Sequence, residues 1–281
     1  MRIKFWGTRG SIPVPGQETI LYGGNTTCLE ITLESGRVVV IDAGTGIRSL
    51  GDKLVAENER VDIHLLMTHI HWDHVLGFPF FAPIYSSKST IRIDGYPTCM
   101  KGLRHTFDNK MGDGFFPVKF DALGAQITYL ERVRYGTLEI DGTMIEGIPL
   151  QHPQGGFGFR FREGDKTLVF ITDNELREDG WTGISPEHYA TFCKDADILI
   201  HDAQYTPQEI KERRDWGHSD YQSTFELAYR ANVEKLVLFH HDPTRKDPEV
   251  TAIKVMCEDL AGKKDSGMII EAAKERSELN L

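Results

Sequence analysis

Residues 61–74 read Val61-Asp62-Ile63-His64-Leu65-Leu66-Met67-Thr68-His69-Ile70-His71-Trp72-Asp73-His74. The first seven form a mostly apolar run of strand length, which predicts a buried β-strand delivering the next residues to the carboxyl edge of a sheet. On extended chain His69 and His71 point to the same side, so their imidazoles can converge on one cation. A turn then brings round Asp73 and His74, whose carboxylate and imidazole suit a second ion a few ångströms away. Nitrogen and oxygen ligands of this kind are those that hard-to-borderline divalent metals take. A polar surface cluster is the plain alternative for a lone histidine. Three histidines and an aspartate within six residues, beside the apolar Val75-Leu76-Gly77-Phe78, point to metal instead.

The pattern His69-x-His71-x-Asp73-His74 resembles the signature of the metallo-β-lactamase superfamily. That resemblance implies an α/β fold, a four-layer αββα sandwich of two facing mixed sheets with helices outside, and a dinuclear metal site at one edge.

Working outward, Met1 to Trp6 alternates as a strand, and Gly7-Thr8-Arg9-Gly10-Ser11-Ile12-Pro13 is a loop in which exposed amides and Arg9 could face an anion; a plain turn fits as well. Cys28-Leu29-Glu30-Ile31-Thr32-Leu33 and Arg37-Val38-Val39-Val40-Ile41 flank a turn at Ser35-Gly36 and read as a hairpin. The second strand runs into Asp42-Ala43-Gly44. By resemblance Asp42 lies beneath the histidine-rich loop and takes hydrogen bonds from it, as metal-bound imidazoles require; capping a helix that runs to Ala56 is the other use for it. Next come a short strand at Ile91 to Gly95, a helix from Thr98 to Asn109 and a Gly-rich loop, Lys110 to Pro117. Residues 85–130 are the candidate lid or substrate-binding insertion, with Phe115 and Phe116 able to stack on a flat group or to anchor the loop to the core.

Further strands end at Leu150, Thr172, Ile200 and Phe239, followed by His152, Asp173, His201-Asp202 and His240-His241. The resemblance assigns His152 to the first metal with His69 and His71. It assigns Asp173, as a bridging carboxylate, to the second with Asp73, His74 and His240; His241 is the neighbour an off-by-one match would choose. Helix Tyr221 to Ala231 comes after Trp216-Gly217-His218-Ser219, and Gly267 to Leu281 reads as closing strand material.

The His-Asp-Ala at 201–203, the Gly-His-Ser at 217–219 and His240 at the end of the final Leu-rich strand resemble the phosphodiesterase branch, which includes transfer-RNA 3′-processing endonucleases and cyclic-phosphate and cyclic-nucleotide phosphodiesterases. The opening Phe5-Trp6-Gly7-Thr8-Arg9-Gly10-Ser11-Ile12-Pro13 with the closing Phe239-His240-His241-Asp242-Pro243 resembles a group of bacterial metal-dependent hydrolases often assigned cyclic-nucleotide phosphodiesterase activity. The function this implies is hydrolysis of a small cyclic nucleotide or similar phosphodiester by a hydroxide bridging two divalent ions, zinc first, with manganese or iron(II) as alternatives. Asp73, His218 and Asp202 are the candidate catalytic residues, with His218, oriented by Asp202, protonating the leaving oxygen or binding the phosphate. The alternatives are hydrolysis of another ester, a thioester or a lactam on the same fold, or a metal or nucleotide sensor without turnover. The endonucleases carry a basic arm between the equivalents of His152 and Asp173, for which the 20 residues 153–172 leave no room.

Bulk properties agree. The 281 residues contain no evident linker and suggest one domain, 1–281; the net charge of −10 disfavours large nucleic acids as partners, since phosphate backbones are bound through Lys and Arg. Cys28, Cys99, Cys193 and Cys257 form no C-x-x-C pair and suggest reduced thiols in a cytoplasmic protein. No apolar run approaches membrane-spanning length, so no membrane partner is expected; a homodimer is an expectation of the resemblance only.

Overall fold

Ile3 and Phe5 alternate with Arg2 and Lys4 along β1 (Arg2–Gly7), and both apolar side chains are buried. The computed structural model describes residues 1–281 apart from Tyr96, Phe115, Glu131, Arg134, Tyr135 and Trp181 and the side chains of 97–99. β1 pairs antiparallel with β2 (Cys28–Thr32), which turns into β3 (Val38–Ile41). α1 (Ile47–Glu57) crosses over to β4 (Asp62–Met67), parallel to β3, and the single-turn α2 (Trp72–Val75) carries the second half of the histidine-rich stretch. β5 (Thr90–Gly95), α3 (Pro97–Lys110) and β6 (Gln126–Tyr129) complete this half. An antiparallel meander comes next, β7 (Thr137–Ile140), β8 (Thr143–Pro149), β9 (Phe157–Glu163) and β10 (Lys166–Ile171). Then α4 (Pro186–Phe192), β11 (Ile198–Asp202), α5 (Tyr221–Arg230), β12 (Lys235–Phe239), α6 (Asp247–Lys263) and β13 (Ile269–Ala272) alternate, and β14 (Glu278–Asn280) ends the chain.

Two sheets result, ordered β14-β1-β2-β3-β4-β5-β6 and β13-β12-β11-β10-β9-β8-β7. Each is antiparallel on one side and parallel on the other, the parallel crossovers being made by helices. The tail expected to close a sheet closes both, since β13 edges one and β14 the other.

Between the sheets lies a core rich in phenylalanine: Phe5, Phe159, Phe161, Phe170 and Phe239 are almost wholly buried, with the Phe170 and Phe239 rings edge-on at 5.5 Å. Burying each such ring contributes about 2 kcal/mol over leaving it in water. A second core packs the first sheet against α1 to α3, and a third packs the other sheet against α4 to α6. Helix faces explain the layering: Ile47, Leu50, Gly51 and Leu54 of α1, and Val250, Ile253, Cys257 and Ala261 of α6, recur every three to four residues and are the buried ones. This is the four-layer αββα sandwich of the metallo-β-lactamase type.

Three helices escaped the sequence reading: the single-turn α2, expected as a turn, and α4 and α6. α4 is short, and the buried stripe of α6 mixes Cys and Ala with its aliphatics, so its periodicity is faint. Helix α1 is not capped by Asp42; its N-cap is Gly46. Among the described residues, Cys28, Cys193 and Cys257 are buried free thiols, and no helix is long and apolar enough to cross a membrane.

Candidate active site

Strand ends from both sheets meet at one rim, and three of the residues there leave the strand with left-handed backbone: Asp42 after β3 (φ 60°), Asp173 after β10 (φ 56°) and His240 after β12 (φ 56°). Asp and His tolerate this region better than most residues, yet each such turn still costs about 1–3 kcal/mol and persists only where surrounding contacts over-determine it. Those contacts include the stitch between α2 and the loop after β3, where Ala43 N–H donates to the His74 carbonyl at 2.7 Å and Gly77 N–H to the Ala43 carbonyl at 2.9 Å. Gly44 is obligatory there, because a Cβ would lie 2.3 Å from the Asp73 carbonyl oxygen.

Six histidines reach this rim, and five of them, all but His218, give the outer ring nitrogen to an oxygen acceptor. His69 Nδ1 lies 3.1 Å from Thr68 Oγ1, His71 Nε2 2.8 Å from Gln154 Oε1, and His74 Nδ1 2.8 Å from Asp42 Oδ2. His152 Nδ1 lies 2.9 Å from the Gly217 carbonyl and His240 Nδ1 3.1 Å from Gln204 Oε1. Fixing the outer N–H fixes the tautomer, so the inner nitrogen of each ring is left with a lone pair. Asp42 serves the loop as well as the ring, since it also accepts from Thr68 N and Oγ1 at 2.8 and 2.7 Å.

The inner nitrogens of His69, His74, His152 and His240 converge on two buried carboxylates, and that of His71, Nδ1, lies 2.9 Å from His152 Nε2. Asp173 Oδ2 is 3.6 Å from His69 Nε2 and 3.8 Å from His152 Nε2, whereas its Oδ1 is 3.4 Å from His74 Nε2 and 3.3 Å from His240 Nε2. One carboxylate thus faces two groups of imidazoles, one oxygen to each. Asp73 Oδ2 sits 3.3 Å from His74 Nε2 and 3.1 Å from His240 Nε2, and accepts from Ser11 N at 2.7 Å. Donor atoms of His69, His71 and His152 lie within 4.8 Å of one another, as do those of Asp73, His74, Asp173 and His240, and those of His152, Asp173 and His218. His69 Nε2 and His74 Nε2 are buried with no hydrogen-bond partner. Orphaned buried acceptors of that kind are costly unless something else takes the lone pair, and a pair of divalent cations fits both donor sets.

The electrostatics favour the ligating forms of His69, His152, Asp73 and Asp173. His74 and His240, against the effect of their burial, are raised above the ordinary imidazole value by Asp73 and Asp173, so a cation must displace a proton from these two. Burial pushes His69 well below its ordinary pKa and His152 down to about 3. Burial opposes the charge on Asp173, but the imidazoles of His240, His74 and His69 outweigh it and hold the carboxyl well below the usual range. Asp73 is held low in the same way by His74 and His240 against its burial.

His218 also faces this cluster, its ring stacked on His240 at 5.0 Å and edge-on to His152 at 5.2 Å. Its Nδ1 is 3.9 Å from Asp173 and 3.6 Å from Asp202, buried and without a hydrogen bond. Asp202 therefore does not hold the ring through a direct hydrogen bond. It accepts the backbone N–H of Ser219 at 2.9 Å and of Asn174 at 3.3 Å, and so places the segment that carries His218. Burial pushes the Asp202 carboxyl up to about 7.

His240 and not His241 faces the cluster. His241 Nε2 donates to the Ala273 carbonyl at 2.9 Å and its ring packs edge-on against Tyr22.

Arg9 corrects an expectation. It is fully buried, donating to the carbonyls of Gly23 at 2.7 Å, Arg245 at 2.8 Å and Asp242 at 3.2 Å, with Asp247 at 3.8 Å, so its charge is used to tie loops together and not to meet a substrate. Arg9→Met is expected to lower the unfolding free energy by about 3 kcal/mol, because several carbonyls and Asp247 lose their buried partner. Urea denaturation measures this; unchanged stability with a raised KM would return Arg9 to the substrate.

Phe115 lies outside the described residues. Phe116 is half-buried and packs edge-on to Phe80 at 5.4 Å, as an anchor would. With Trp72, Leu76, Phe80 and Lys110 it lines an apolar groove of about 480 Å³ beside α2.

Sequence reasoning missed Thr68, Gln154, Gln204 and the Gly217 carbonyl, the acceptors that orient the rings. No sequence signal could have found the glutamines or the carbonyl; Thr68, next to His69, stood in the motif unremarked.

Residues 37–241 match the family model described as the beta-lactamase superfamily domain. Ribonuclease Z of Pyrococcus horikoshii is 23% identical over 287 residues, spanning 86% of this chain and 87% of that protein. The solved structure of the metallo-beta-lactamase fold protein YhfI from Bacillus subtilis aligns with a TM-score of 0.71 at 15% identity, covering 99% of this chain and 98% of that one. Unliganded yeast PDE1 aligns with a TM-score of 0.70 at 15% identity, covering 100% of this chain and 99% of that one. At these identities the structural likenesses establish the fold and leave the substrate open.

Proposed function

This chain belongs to the beta-lactamase superfamily domain family, and from that premise we propose that it is a metal-dependent phosphodiester hydrolase acting on a small diester, a cyclic nucleotide or a similar molecule. The observation that carries the proposal is the pair of donor sets sharing Asp173: every ring has its outer nitrogen tied, and each oxygen of Asp173 faces a different group of imidazoles. Two divalent ions held by His69, His71 and His152 and by Asp73, His74, Asp173 and His240 would lower the pKa of water to about 7 and neutralise charge on a phosphoryl oxygen. Zinc suits the imidazole-rich first set, and manganese or iron(II) would fit the same atoms.

The chain's own groups do the rest. Asp73 is fixed by Ser11 N–H, so its free lone pairs point into the second donor set. His218, packed on His152 and His240, donates its ring N–H to a phosphoryl or leaving oxygen.

A small substrate is favoured by the span 153–172, largely taken up by the β9–β10 hairpin, which leaves no basic arm for a large RNA. The net charge of −10 acts in the same direction. The name of the ribonuclease Z relative favours a second reading, an endonuclease acting on RNA. Metal-reconstituted protein assayed on bis(p-nitrophenyl) phosphate, a panel of cyclic nucleotides and a precursor transfer RNA separates these. Turnover of a cyclic nucleotide above the RNA supports the proposal, and cleavage of the precursor alone replaces it with the second reading. Bound metal without turnover of any diester would leave a sensor.

A further inference from the structure

Two residues past Asp173, Glu175 is a buried carboxylate, 4% exposed, that belongs to neither donor set. Its Oε2 accepts the N–H of Gly217 at 3.1 Å, and the carbonyl of Gly217 in turn accepts Nδ1–H of His152 at 2.9 Å. Gly217 has a left-handed φ of 83°, and a Cβ there would lie 2.1 Å from His152 Nδ1, so the imidazole rests on bare backbone. The next residue is His218. Its far side is held by Ser219, whose N–H goes to Asp202 and whose Oγ donates to the Asn174 carbonyl at 2.5 Å and accepts from Leu176 N–H at 3.1 Å. Its near side is held by Glu175. The other Glu175 oxygen faces Arg177 at 3.3 Å, which also binds Asp215, two residues before Gly217. The Glu175 backbone N–H donates to the Gln151 carbonyl at 3.0 Å, beside His152.

A backbone N–H buried at this depth needs an acceptor, and a carboxylate is a stronger one than water or an amide. We propose, resting on the metal-centre reading above, that Glu175 is a positioning residue: its hydrogen bond to Gly217 sets the loop that both orients the His152 ring and carries His218. The acceptor oxygen is what matters and the charge is secondary, since the other carboxylate oxygen already faces Arg177, which it shares with Asp179 and Asp215.

Glu175→Ala and Glu175→Gln test this. Loss of the acceptor in the alanine variant is expected to weaken zinc binding, measured by competition with a chelator, by about 10-fold, the lower end of the range seen when the outer partner of a metal-bound histidine is itself removed, because the Gly217 carbonyl remains and only its placement is disturbed. It is also expected to lower kcat for a dialkyl or nucleotide diester more than for bis(p-nitrophenyl) phosphate, with KM little changed. Glutamine keeps the oxygen and is expected to restore most of both. In metal-free protein the His152 Nδ1–H resonance should be lost or shifted in the alanine variant and retained in the glutamine one. Zinc affinity and that resonance at wild-type values in Glu175→Ala, even with a lowered Tm, would leave Glu175 a merely structural residue and overturn the proposal. Equal impairment in both variants would overturn it too, by moving the role to the ion pair with Arg177. The affinity and the resonance are readable even if no diester is hydrolysed, so a failure of the proposed activity is not confused with a failure here.

Discussion

Asp173→Asn is expected to reduce phosphodiester turnover by well over about 100-fold, beyond the ~10–100-fold that changes to outer partners of metal ligands produce. It is also expected to lower bound metal below two ions per chain. The reason is geometric: Asp173 Oδ2 faces His69 and His152, its Oδ1 faces His74 and His240, and an amide offers one weak oxygen acceptor where the carboxylate offers two anionic ones. The same substitution removes the anion lying among four imidazoles, so the metal-free protein should also change. His74, whose burial disfavours its charged form, is raised well above its ordinary pKa by Asp73, Asp173 and Asp42, and would lose one of these three supports. Elemental analysis of the purified variant, kcat on bis(p-nitrophenyl) phosphate and a circular-dichroism melt measure the three effects separately. Full metal content with full activity would remove Asp173 from the centre and the dinuclear reading with it.

His218→Ala is the second large effect. The side chain stacks on His240 and stands edge-on to His152, yet its Nδ1 has no hydrogen-bond partner, so one of its polar atoms is kept for something the chain itself does not supply. Donation to a departing oxygen accounts for this. Its removal is expected to cost about 100-fold or more in kcat for esters with alkoxide leaving groups, the usual worth of a positioned proton donor. Activated aryl esters, whose leaving group needs no proton, should keep most of their rate, and metal content should not change. A plot of log kcat against leaving-group pKa would steepen in the variant. Parallel lines for variant and wild type, displaced by a constant factor, would show that His218 binds the phosphate uniformly and does not serve the leaving group.

How much of the site could be read before the fold was known depended on what kind of information each residue carries. His69, His71, Asp73 and His74 were legible because ligand-type side chains crowd a few positions at the end of an apolar run. His152, Asp173 and His240 were reached through a resemblance, since an isolated histidine or aspartate after a strand says nothing by itself. Arg9 was misread for a physical reason: a lone arginine in a glycine-rich loop looks exposed, and only the close packing of residues 23, 242 and 245 reveals that its guanidinium is enclosed by carbonyls. Asp202 was placed at the right rim, but its work on the Ser219 backbone instead of the His218 ring depends on a loop path that no local pattern encodes.

The sequence by itself determined the strands, through alternation and branched side chains, and the kind of chemistry, through the residue types at the strand ends. Both are local properties, set by backbone sterics and by the ligand preferences of cations. Only the tertiary structure decided which ring nitrogen faces inward, that His240 and not His241 turns to the rim, and that one carboxylate lies between two donor sets. Those choices are made by hydrogen bonds from the rings to Asp42, Gln154, Gln204 and Gly217, residues up to 83 positions away from the rings they orient. Separations of that length come together only when two seven-stranded sheets close on a shared core.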